Sequence, residues 1–80
     1  MSPHEINNFL RRAPFVPFRI TLTEGSQYEV RHPEWCMVGS RVVVVGVQPE
    51  GLADPLFDYS VSIDPLHIVK LEPVETSVKG

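Results

Sequence analysis

The residues best suited to chemistry fall in one short run, His32-Pro33-Glu34-Trp35-Cys36. An imidazole, a carboxylate and a thiol are all zinc ligands by type. Structural zinc sites usually bring Cys or His ligands in closely spaced pairs, and this run supplies them singly. A site built on His32 and Cys36 would need His67 from far along the chain. A Cys-His nucleophile pair asks for hydrogen-bond reach between thiol and imidazole, and for a third group that orients the base. A four-residue separation suits one helical turn, but a segment holding Pro33 does not read as a stable helix. Glu34 is too close in sequence to orient His32. The run therefore reads as a structural corner, with Cys36 a small buried group. A metal or thiol enzyme using His32 and Cys36 is the weaker alternative. Asp54, Asp58 and Asp64 offer carboxylates, yet Asp58 and Asp64 stand about 20 Å apart along an extended strand. They read as turn caps and solvated groups. Val-Val-Val-Val-Gly-Val holds one glycine and no following Lys-Ser or Lys-Thr helix, so no phosphate loop is present. No catalytic, cofactor-binding or metal residue is assigned, and no cofactor is expected.

Binding chemistry is the other option. The aromatic residues beside prolines and bends, Phe15 and Trp35, are candidates for partial exposure, and Arg31 lies near Trp35. Such a patch suits a protein partner or base stacking. Arg11, Arg12, Arg19 and Arg31 are the candidate RNA contacts. Seven basic residues face ten acidic ones, for a net charge of -3. That balance disfavours a nucleic-acid coat. Residues 1–40 balance to zero, and residues 41–80 carry the whole excess of acid. The lone Cys36 rules out an intrachain disulfide. No leader and no apolar run of membrane-spanning length is visible, so a cytoplasmic protein off the membrane is expected.

The elements that must position these residues are marked locally. Ser2, Pro3 and Glu5 predict an N-cap, a first helical position and a capping box. Ile6, Phe9, Leu10 and Ala13 share one face at helical spacing, which predicts a helix over about 3–12 anchored by Phe9 and Leu10. Pro14 stops it. Phe18–Thr23 alternates as a strand, Gly25 supplies the turn, and a second strand resumes at Gln27. Pro33 lacks a ladder donor, so His32-Pro33-Glu34 bends that strand before it returns to the core. Val42–Val47 is apolar on both faces, and one face needs a cover: the helix or another subunit. Val42 and Val44 are one candidate outer row. Gln48–Pro55 is loop-like, Phe57–Ile63 alternates cleanly, Asp64 and Pro65 start a single tight turn, and Ile68–Glu72 closes the fold. The end of the chain, about 74–80, reads as a frayed tail.

Counting 27–38 as one bent strand, this gives a helix and five strands in a single domain, 1–80, with the barrel over about 18–72. The order resembles SH3-like barrels, and the leading helix resembles their Sm-like branch. Expected is a mainly β, strongly bent, five-stranded antiparallel barrel with an N-terminal α-helix. Pro17-Phe18-Arg19-Ile20, Gly25, then Tyr28, Val30, His32, Pro33 and Glu34 also resemble the front half of a family of short bacterial proteins. Asp-Pro-Leu-His-Ile-Val-Lys-Leu-Glu-Pro is similar to that family's ending. The resemblance implies a fold and no activity.

The expected function is a non-enzymatic protein-interaction module, self-association into a homo-oligomer included. The surface would draw on Phe15, Arg31, Trp35, Val42 and Val44, by edge-strand pairing or burial of an apolar patch. Single-stranded RNA binding by an Sm-like ring, through Arg11, Arg12, Arg19, Arg31 and Trp35, is the alternative.

Overall fold

Ser2 caps the helix α1, Pro3–Leu10, through its hydroxyl, which accepts from the His4 amide. Glu5 reaches back to the Ser2 amide at 3.0 Å and completes the capping box. In this computed structural model, which describes residues 1–49 and 56–74, α1 ends two residues short of the expected boundary, with Arg11 as its C-cap. Ile6 is the fully buried residue of the helix. Phe9 and Leu10, the expected anchors, are half-buried against the same core. Burying a side chain such as Ile6 contributes about 1.5–3 kcal/mol, which so short a helix needs because it is unstable alone.

Six strands follow among the described residues. They are β1 Phe18–Leu22, β2 Gln27–Val30, β3 Cys36–Val38, β4 Val43–Val47, β5 Tyr59–Ile63 and β6 Ile68–Pro73. They form two open three-stranded antiparallel sheets, ordered β2-β1-β6 and β3-β4-β5. This corrects the expected five-stranded closed barrel of SH3-like or Sm-like type: the molecule is a small mixed α/β domain. The reason lies at Pro33. It opens a 3-10 turn, Pro33–Trp35, closed by the Trp35 amide donating to the His32 carbonyl at 3.0 Å. The turn ends one strand and starts another in a different sheet, where a bend would have kept one strand continuous.

Register follows side-chain parity. In the first sheet Phe18 lies opposite Val30, and Ile20 lies between Tyr28 and Leu71. Phe18, Ile20 and Val30 are fully buried. In the second sheet Val45 lies between Cys36 and Val61, and Val43 between Val38 and Ile63. These inward faces share one core with Ile6 and Ile68. Gly25, with φ of 103°, makes the tight β1–β2 turn that other residues rarely adopt. Asp64 accepts from the Leu66 amide at 3.0 Å and caps the 3-10 turn Pro65–His67 before β6.

Candidate functional site

Trp35, a candidate for partial exposure or for plugging the core at a bend, is 6% exposed. Its ring meets His32 at 4.5 Å and Phe57 at 5.8 Å, both edge-on. Phe57 lies over Gly46 so closely that a Cβ there would come within 2.9 Å of the ring. The glycine in the valine strand is thus the seat of an aromatic side chain. His32, Trp35 and Phe57 make a packed corner. Cys36 faces the core, and burial pushes its thiol up to about 11. A thiol held neutral is a poor nucleophile near neutral pH. Among the described residues, no three His, Cys, Asp or Glu side chains are grouped to hold a metal ion. Asp54 lies outside the described residues.

Three of the four candidate arginines are engaged by the protein itself. Arg19 stands between two carboxylates on the outer face of the first sheet, 3.2 Å from Glu29 and 3.8 Å from Glu72. Arg31 extends this line at 3.7 Å from Glu29, and Lys70 ends it at 3.6 Å from Glu72. Charges of alternating sign thus run across all three strands of that sheet. Arg12 lies over the Phe9 ring, 4.4 Å from its centre. Arg11 is exposed at the helix end. Phe15 is half-buried with its ring 6.2 Å from that of Phe18.

Val42 is exposed and lies just before β4, while Val44 is half-buried on the outer face of the second sheet. Val44 lies opposite Met37, whose side chain is 66% exposed. β4 is the central strand of its sheet and is hydrogen-bonded on both sides. Edge pairing is therefore unavailable to Val43–Val47, and that role passes to the strands at the sheet margins.

The four margins are not equivalent. β2 packs against β4. β3 has three residues and packs against α1. β6 carries Lys70, Glu72 and Pro73, and its pairing with β1 shifts register beside Leu22. Charge, proline and irregularity are the usual protections of a sheet edge. β5 has none of them: Tyr-Ser-Val-Ser-Ile is uncharged, free of proline and regular against β4 throughout. Tyr59, Ser60 and Ser62 are exposed, and among the described residues β5 pairs with β4 alone.

A groove of about 380 Å³ runs beside β5. Val61 and Ile63 of the second sheet and Leu22 and Tyr28 of the β1–β2 hairpin line it, together with Glu24, Asp64 and His67. The groove is a seam between the two sheets. A hydrogen bond from the Ser26 hydroxyl lowers the Glu24 pKa from its usual value. The seam has the form of a strand-docking site: a strand that among the described residues has one partner strand, apolar lining and two carboxylates.

Alternation marks β5 as a strand in the sequence, while its place at a sheet edge depends on long-range pairing. Its signal is an uncharged alternating run bounded by Asp58 and Asp64. Compared with protein-family models, curated proteins and solved structures, the chain gives no match. Among the described residues, no helix is long and apolar enough to cross a membrane.

Proposed function

We propose that this chain is a protein-interaction module that takes an extended segment of its partner as an added strand on β5. The observation that carries the reading is the unprotected edge Tyr59–Ile63 beside the seam groove. Main-chain hydrogen bonds to such an edge supply affinity, and the groove supplies side-chain selectivity. The role is binding rather than catalysis. The geometry favours the RNA alternative less. A closed barrel is its premise, and Arg19 and Arg31 sit among carboxylates while Trp35 is covered.

The test is a lysine pair on the exposed side of the edge, Ser60→Lys with Ser62→Lys. Both serines are exposed, so the fold tolerates the change, whereas lysine on an edge opposes added strands. Extended peptides selected from a random library on the wild type should lose at least about tenfold in affinity on the variant, or about 1.4 kcal/mol. The melting temperature should stay within a few degrees. Peptides that bind both proteins equally, or a library that yields none, would overturn the reading.

A further inference from the structure

The charges bordering β5 say what kind of segment the edge would take; this inference rests on the strand-addition reading above. Asp58 precedes β5 and Asp64 follows it, six positions apart with no charge between them. Glu24 joins Asp64 on the seam groove, where His67 and Tyr28 are the other titratable groups. The apolar walls, Val61, Leu22 and Tyr28, favour a segment with small apolar residues on its inward side.

A second copy of the chain is a poor occupant. With β5 paired on itself in register and antiparallel, Val61 would face Val61, and each Asp58 would face an Asp64. In register and parallel, each aspartate would face itself. Like charges directly opposite destabilise a pair of strands. A partner with basic residues at both ends reverses the sign of both contacts. We infer that the β5 edge recognises an extended segment of another protein with lysine or arginine residues about six positions apart, flanking an uncharged alternating centre, one of the two basic groups lying by Asp64 and Glu24.

Three synthetic peptides test this. All share one alternating Val/Thr centre and are flanked by Lys, by Gln or by Glu. Each is titrated into the full ¹⁵N-labelled chain at low salt, and amide shifts are read by NMR. Two or three exposed ion pairs predict that the Lys-flanked peptide binds about tenfold tighter than the Gln-flanked one. The Glu-flanked peptide should bind weakest. Shifts should fall on residues 22–24 and 59–64, and the Lys preference should shrink in about 0.5 M salt as screening shortens. Glu24→Gln with Asp64→Asn should cut the preference to about twofold, because asparagine keeps the cap on the Pro65–His67 turn while removing its charge. Equal binding of all three peptides at β5 would overturn the charge inference and leave strand addition standing. Shifts elsewhere, or none with any peptide, would overturn both. Concentration-dependent shifts at β5 in the chain alone would make a second copy the occupant and overturn the inference.

Discussion

Gly46 shows how one residue organises the corner beside the site. It interrupts four valines, and by propensity a glycine weakens a strand. Its value is the space above it, which the Phe57 ring fills against Trp35. Gly46→Ala must push that ring aside, at a cost of about 1–3 kcal/mol for an overpacked contact. In a Phe57→Ala background the same change should be neutral or stabilising by about 0.5 kcal/mol, because alanine restricts the unfolded chain. Denaturant unfolding of the four proteins in this cycle reads the difference directly. Additive effects would separate Gly46 from the ring. Trp35 and Phe57 could not be paired from the sequence, because they lie on either side of β4 in the chain. Ser2, Pro3 and Glu5 were legible as a helix start, because a capping box is complete within four residues.

At the scale of elements, the question at Pro33 had two local answers. A proline lacking its amide can bend a strand or end it. The residues around it decide little, since both outcomes satisfy the same backbone groups. Long-range pairing decides: Val30 is held opposite Phe18 in one sheet, and Cys36 opposite Val45 in the other. The strand therefore ends, and one bent strand becomes β2 and β3. The status of β5 is likewise a property of sheet order. Alternation in Tyr59–Ile63 was readable, but nothing local says that β5 has one neighbour and β4 has two. Burial along β5 fades from Ile63 toward Tyr59, which is 53% exposed. For this reason the Ser60→Lys and Ser62→Lys pair tests binding without testing the core: both serines face outward while Ile63 stays in place.

At the scale of the whole molecule, two small sheets and one helix share a thin core. A domain of this size is typically stable by about 5 kcal/mol. One buried thiol is then a large share of the margin. Burial raises the Cys36 pKa from 9.0 to about 11, so the folded state holds the proton where the unfolded chain releases it. The unfolded state binds fewer protons across that window, and stability must fall as pH rises from 9.0 toward 11. The loss reaches up to about 3 kcal/mol at its upper end. Wild type should therefore lose more stability over this window than Cys36→Ala, which has no thiol to titrate. Parallel denaturant curves at pH 8 and pH 10.5 check this, and equal losses in the two proteins would contradict it. The same molecule gathers its charge of -3 in the half of the sequence that carries β5. Its positive groups on the first sheet are tied to Glu29 and Glu72. An edge flanked by aspartates and a first sheet whose charges pair with one another together favour the proposed basic segment over a polyanion.

The most direct measurement is an NMR structure of the chain bound to its tightest library peptide, with interstrand contacts read between backbone protons. Strand addition at β5 predicts a ladder of such contacts between the peptide and Tyr59–Ile63, newly slowed exchange of alternate β5 amides, and peptide side chains in the groove beside Leu22 and Tyr28. A peptide lying on the Met37 and Val44 face, or along the ion-pair line of the first sheet, with β5 still exchanging freely, would contradict it.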